Sequence, residues 1–207
     1  AAASGLEPPV AVLNLGGVAN ITLVDAEGAL QAFDTGPANG MIDLLVQART
    51  DARYDHGGAL AQGGRVDQPA LKALLAHRYF ELPGPKSLDR YDFSLEPVEH
   101  LSLEDGAATL TAFTAETVAL GVKLCSAPPR AVIACGGGRH NPALMQAIAE
   151  RLDAPVMVAE DLDWRGDSIE AEAFAYLAAR TLRGLPISFP GTTGVPQPMT
   201  GGRMAGP

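Results

Sequence analysis

Asp34 opens the run Asp34-Thr35-Gly36-Pro37-Ala38-Asn39, which lies between an apolar, strand-like stretch and a helical one. A carboxylate at the carboxyl end of a strand points into the crevice where α/β proteins bind ligands, or it simply marks the entry to the following helix. The backbone N–H groups of Thr35, Gly36 and the following helix start are placed to cradle an anion. Two more glycine-rich runs follow strand-like segments: Asn14-Leu15-Gly16-Gly17, and Gly136-Gly137-Gly138-Arg139-His140-Asn141. Without a Cβ, such backbone can approach a phosphate closely. Each run alone also reads as a tight turn. Three glycine-bearing strand exits in one sheet predict a nucleotide or phosphate crevice. Lys86 and Arg90 form a basic pair within Pro85-Lys86-Ser87-Leu88-Asp89-Arg90, suited to an anionic substrate or to a solvated loop. Glu170 and Glu172 fall in the first turn of a helix, where the dipole favours carboxylates. A carboxylate there can also hold sugar hydroxyls.

The elements that must position these residues follow from the hydropathy pattern. Residues 10–15, 18–24 and 29–34 read as three short strands, joined by Gly16-Gly17 and by a turn ending at Gly28, an antiparallel meander. A helix begins near Asn39, with Asn39 as its cap and Met41, Leu44, Leu45 and Ala48 on one face. Residues 54–100 break the pattern with paired glycines, Pro83, Pro85 and Pro97, and read as an irregular insertion with one short helix near 67–78. Regularity returns with a helix over 104–124, a strand over 131–135 and a helix over 141–152 with Pro142 at its first position. A strand over 155–159 and a helix over 167–183 capped by Asp167 or Ser168 complete it. The tail from Gly184 reads as coil. The order β-β-β-α, insertion, α-β-α-β-α predicts an α/β fold: a mixed sheet with a three-strand meander and helices on both faces. That order resembles the ribonuclease-H-like half-domain of the sugar kinase, Hsp70 and actin superfamily, and the whole of 1–207 reads as one such domain.

Composition narrows the functions. The chain has 207 residues, 15 basic against 24 acidic, for a net charge of −9. A protein that grips nucleic acid through phosphates is normally basic, so that partner is disfavoured. No apolar run reaches the ~18 residues that span a bilayer. Cys125 and Cys135 give neither a disulfide framework nor a zinc spacing, and the four histidines are scattered. Phe33-Asp34-Thr35-Gly36 matches the aspartic protease signature, but no second copy is present and the helical content argues against an all-β lobe. Neither glycine run fits a Walker loop or a dinucleotide fingerprint.

A set of motifs carries a closer resemblance: LNLGGVANITL (13–23), FDTGPANGMID (33–43), YDHGGALAQGGRV (54–66), YFELPGPKSLDRYDF (79–93), VIACGGGRHNPALM (132–145) and GDSIEAEAFAYLAARTLRGLP (166–186). In this collinear order the chain resembles the anhydro-N-acetylmuramic acid kinase family, over that family's C-terminal domain. The resemblance implies a cytoplasmic, actin-like ATPase-type kinase of peptidoglycan recycling. It uses ATP and magnesium to convert 1,6-anhydro-N-acetylmuramic acid and water into N-acetylmuramic acid 6-phosphate. It implies Asp34 as the catalytic base. Gly16, Gly17, Gly36, Gly136, Gly137, Gly138 and Asn141 would line the nucleotide, and Glu170, Lys86 and Arg90 the sugar. Leu88 and Asp89 depart from the family's P-K-S-T-G-R. The family's G-x-M-S-G-T-S-x-D loop has no counterpart here. The expectation is therefore a domain inactive by itself that needs a missing N-terminal half; a homodimer is implied by the resemblance alone, since the residues do not show the oligomeric state. The competing expectations are a non-catalytic, truncated or split-gene remnant that binds sugar, nucleotide or a protein, and another sugar kinase of the same superfamily.

Overall fold

The computed structural model describes residues 5–89 and 91–203. Three strands, β1 (Val10–Leu15), β2 (Val18–Val24) and β3 (Leu30–Pro37), form the antiparallel meander. Helix α1 (Asn39–Arg49) follows. The insertion contributes α2 (Ala59–Gly63) and α3 (Gln68–Leu75), linked by 3-10 turns. Then come α4 (Leu103–Leu124), β4 (Ala131–Cys135), α5 (Pro142–Ala149), β5 (Val156–Val158), α6 (Ile169–Leu182) and the short α7 (Pro190–Thr193). The strands lie in the order β3-β2-β1-β4-β5, with β4 parallel to β1 and β5 parallel to β4. A three-strand meander continued by parallel crossover strands is the ribonuclease-H-like sheet, as the element order predicted.

The alternation of side chains sorts the sheet into two unlike faces. Leu13, Ile21 and Phe33 stand in register on one face and are fully covered. Helices α4 and α5 close that face through Ala115, Val118, Leu144 and Ile148. On the other face, Cys135, Asn14, Asn20 and Asp34 form a row across four strands. That face is covered apolarly only toward its β4 side, where Val10, Ile133, Cys135 and Ala159 meet Leu162, Trp164 and Ile169. Helix α6 stands over the rest, and none of its fourteen residues is buried. Helices thus attend both faces, but the second is left open along a polar row.

Strand β3 runs three residues past its expected end. Asn20 pairs with Asp34 and Ala19 with Gly36, so Thr35 is the extra residue of a β-bulge. The bulge lets Asp-Thr-Gly-Pro stay in the ladder while re-aiming the chain, a device common beside active sites. Gly36 is required by packing: a methyl group there would lie 2.6 Å from Thr117 Oγ1 on α4.

The insertion, expected to be irregular, has a core of its own. Leu71, Leu74, Tyr79, Phe93 and Val98 pack with Ile42 and Leu45 of α1 and with Leu110 and Phe113 of α4. Phe80, Phe93 and Phe113 stack at 5.6 to 5.8 Å between ring centres, in the tilted and edge-on arrangements that aromatic pairs prefer. Helix α4 therefore serves two cores at once: its first half closes the insertion and its second half closes the sheet.

Candidate active site

The polar row places Asp34. Its Oδ1 accepts a hydrogen bond from Asn20 Nδ2 at 2.9 Å and its Oδ2 accepts one from the backbone N–H of Leu88 at 2.8 Å. The backbone of Asp34 is tied to the same loop: its N–H donates to the Lys86 carbonyl, and its carbonyl accepts from Tyr79 Oη at 2.7 Å. The bulge, the insertion and β2 thus fix one carboxylate from three sides. The loop contact is made by a backbone N–H, which any residue at 88 other than proline supplies. Leu88 itself packs on the insertion core, so its departure from the family pattern leaves this contact intact.

Lys86 arrives beside Asp34 but is drawn onto Tyr79. Its Nζ donates to the Tyr79 carbonyl at 3.0 Å and lies 4.4 Å from the ring centre. Burial pulls the Lys86 ammonium pKa down. Burial, aided by Asp34 and Asp92, holds the Tyr79 hydroxyl well above its usual range, so it remains a donor. Arg90 lies outside the described residues.

The glycine runs divide by role. The carbonyls of Gly16 and Gly17 accept from the backbone N–H groups of Ala38, Asn39 and Gly40 at 3.0 to 3.1 Å. The helix start is therefore spent on the β1–β2 turn and is no open anion cradle, contrary to expectation. Asn39 is likewise the first residue of α1 and not its cap; its Nδ2 donates to the Leu15 carbonyl. Gly36, expected along the nucleotide, is buried instead against Thr117 of α4. Gly136 has φ +77° and no room for a side chain, since a methyl group there would strike Asn14 Oδ1 and the Leu15 carbonyl. Gly138 is closed off by Leu15 and Asn39. Gly137 alone of the triplet faces open space. The helix expected from 141 is preceded by a 3-10 turn over Gly137–His140; Asn141 does cap α5, its Oδ1 accepting from Leu144 N.

A groove of about 390 Å³ lies between the sheet's open face and α6. Asn14, Asn20, Gly136, Gly137, Asp167 and Glu170 line it. Glu170 is exposed in the first turn of α6, as expected. Ser168 is the cap residue of that helix, one of the two expected, but its side chain makes no capping bond, and Asp167 turns to Arg139.

Arg139 was not foreseen. Its side chain is 2% exposed. Its Nη1 donates to the Gly136 carbonyl at 2.8 Å, its Nε and Nη2 to Glu160, and its Nη2 to Asp167 at 2.8 Å. One guanidinium thereby joins the glycine turn to the start of α6, and Gly166 is needed because a methyl group there would strike Arg139 and Glu160. The hydrogen bonds from Arg139 hold the Glu160 carboxyl down at about 2, and that of Asp167 below its usual value. Because the folded value lies below the unfolded one, this contribution is complete above the ordinary glutamate value of 4.5 and is lost as pH falls toward about 2. Glu160→Gln should flatten the acid limb of the stability profile in that window, read by denaturant melts at stepped pH. Superimposable profiles would contradict the clamp.

A row of polar side chains on the open face of a ribonuclease-H-like sheet, with the fixed Asp34 carboxylate in the row and a glycine turn lining the groove beside it, makes that face the candidate site of the domain. The chain belongs to the anhydro-N-acetylmuramic acid kinase family, whose model matches residues 3–205. It is 68% identical over 207 residues to the anhydro-N-acetylmuramic acid kinase of Phenylobacterium zucineum, covering 100% of this chain and 56% of that protein. It is 67% identical over 206 residues to the kinase of the same name from Caulobacter vibrioides, again covering 56% of it. The chain thus spans just over half the length of the relatives it matches. These matches do not support the C-terminal placement expected from the motifs. Among solved structures, the activator of 2-hydroxyisocaproyl-CoA dehydratase from Clostridium difficile aligns with a TM-score of 0.48 and 16% identity, over 74% of this chain and 55% of that one. No helix among the described residues is long and apolar enough to cross a membrane.

Proposed function

We propose that this chain forms one wall of an active site that uses ATP and water to convert 1,6-anhydro-N-acetylmuramic acid into N-acetylmuramic acid 6-phosphate, in peptidoglycan recycling. The observation that carries the reading is the Asp34 carboxylate, held by Asn20 and the Leu88 N–H on the open face of the sheet. Asp34 takes a proton from a water that attacks the anomeric carbon; the C1–O6 bond breaks, and the freed O6 attacks the γ-phosphorus, releasing ADP. Two fixed hydrogen bonds aim the carboxylate before substrate arrives, which is where positioning contributes to rate. Glu170, which lines the groove together with Asp34's partner Asn20, accepts from sugar hydroxyls. The open backbone at Gly137 takes phosphate oxygens, with Gly16, Gly17, Gly136, Gly138 and Asn141 shaping that wall. Lys86 acts by holding the 86–88 loop on Tyr79 and Asp34.

No group of three or more histidine, cysteine, aspartate or glutamate side chains that could hold a metal ion occurs among the described residues. Magnesium fits this wall only as an ion carried by phosphate oxygens and water, the usual state of that cation in phosphoryl transfer. It would neutralise phosphate charge.

The opposing wall comes from the remaining length of the longer protein, which also covers the exposed Phe174, Tyr176 and Leu182 of α6. The 207-residue chain incubated with ATP, magnesium and the anhydro sugar should give no sugar phosphate, and the full-length protein should give it. Turnover by the 207 residues would contradict the one-wall reading, and a full-length protein that binds sugar without turnover would favour the non-catalytic remnant.

A further inference from the structure

The groove is lined from the sheet side by Asn14, Asn20, Gly136 and Gly137, and from the α6 side by Asp167 and Glu170. Arg139 is bonded to both sides, yet with 2% of its side chain exposed it offers a ligand no surface. We infer that Arg139 is a positioning residue for the sugar: it locks the start of α6 to the glycine turn and so sets where Glu170 stands across the groove. The inference rests on the reading of Glu170 as a sugar contact and deepens it.

Helix α6 has little else to hold its start. None of its fourteen residues is buried, so it lacks the covered apolar stripe that ordinarily seats a helix on a sheet. Its first residue, Ile169, packs on the patch formed by Val10, Ile133, Cys135 and Ala159. That contact fixes a point and leaves the direction of the helix open. Any swing about it moves Glu170, the next residue.

The guanidinium supplies the missing direction. All three of its nitrogens are used, on three separate segments. Nη1 donates to the Gly136 carbonyl at 2.8 Å, Nη2 to Asp167 Oδ1 at 2.8 Å, and Nε to both Glu160 oxygens at 3.1 Å. Glu160 belongs to the 3-10 turn Ala159–Leu162 after β5, and it holds the plane of the group. A planar fork with fixed angles passes the orientation of one partner to the others, which a single ammonium does not. The loop is shaped around this side chain: Gly166 is buried and has no Cβ where the guanidinium passes. Glu160 and Asp167 keep 48% and 80% of their side-chain exposure. Removing Arg139 therefore strands no buried charge, and its loss shifts α6 more than it unfolds the domain.

Initial rates of ADP release by the full-length protein, at saturating ATP and varied anhydro sugar, test this. Glu170→Gln and Arg139→Met should each raise the sugar KM by about tenfold, the worth of one hydrogen bond to a charged group, with kcat within about threefold of the wild type. The double variant should stay within about twofold of the single ones, whereas independent effects would multiply to about a hundredfold. Asp167→Asn cuts only the α6 arm, at an exposed residue, and serves should Arg139→Met fail to fold. It should raise KM alike and add nothing to Glu170→Gln. Arg151→Met breaks an ion pair with Glu116 under the opposite face of the sheet; it should lower the unfolding midpoint and leave the sugar KM unchanged. An unchanged KM in Arg139→Met, or a multiplied KM in the double variant, overturns the inference while the kinase reading stands. A KM raised equally in Arg151→Met reduces the effect to lost stability and overturns it too. An unchanged KM in Glu170→Gln overturns the sugar contact at Glu170 and the inference with it. A wild-type protein that releases no ADP with the sugar overturns the kinase reading itself.

Discussion

Asp34→Asn in the full-length protein should lower the rate of ADP release with the anhydro sugar by about 10³-fold, within the range that a positioned general base contributes. The amide keeps the shape of the carboxylate and one acceptor, so the bulge at Thr35 and the pairing of Asn20 with Asp34 persist. What it loses is the basicity that takes the proton from water. Initial rates, compared with unfolding curves of the same protein, separate the two effects. Asn20→Ala should cost less, about tenfold, because it frees one carboxylate oxygen without removing the base. A rate for Asp34→Asn within about tenfold of the wild type would remove Asp34 from the chemistry.

The largest structural effect is expected at Phe113→Ala. Phe113 is fully buried, and its ring meets both Phe80 and Phe93. Truncation removes the aromatic contact between the insertion and α4 and leaves a cavity, at a cost of about 3–5 kcal/mol. Domains of this kind are held by only about 5–15 kcal/mol in all, so the midpoint of denaturant unfolding should fall steeply. Phe174→Ala on the exposed face of α6 is the control within the 207-residue chain, with an expected change within about 0.5 kcal/mol. Equal midpoints for the two variants would show that the insertion does not share its core with α4. Because that insertion carries the Leu88 N–H that fixes Asp34, its stability and the aim of the carboxylate are linked.

How much is legible in the sequence differs by element. Strands β1, β2 and β4 end where expected, because β-branched runs there meet glycine turns. The continuation of β3 through Pro37 is not legible, since a proline-containing run has no strand propensity and stays in the ladder only through the bulge opposite Ala19 and Asn20. The core of the insertion is hidden for a different reason. Leu71, Tyr79, Phe93 and Val98 are scattered among prolines and glycines without a period, and only folding brings them onto α1 and α4.

Of the candidate site, the local settings of Asp34, Glu170 and Gly137 are legible: a strand, a helix start and a strand exit. Other glycines resemble phosphate contacts in sequence but are explained by close packing: Gly36 lies against Thr117 and Gly138 against Leu15. Arg139 gives no local signal because its carboxylate partners lie 21 and 28 residues away, beyond any short pattern. Asp43, Tyr54 and Gly137 lie far apart along the chain, so the cleft of about 320 Å³ that they line exists only once it is folded.

The most direct test of the kinase account is the mass of the sugar product made by the full-length protein from ATP, magnesium and 1,6-anhydro-N-acetylmuramic acid. Ring opening by water coupled to transfer onto O6 predicts a product heavier than the substrate by one phosphoryl group and one water, formed in step with ADP and lost in Asp34→Asn. A product carrying phosphate but no added water, or ADP released with the anhydro sugar left intact, would contradict it.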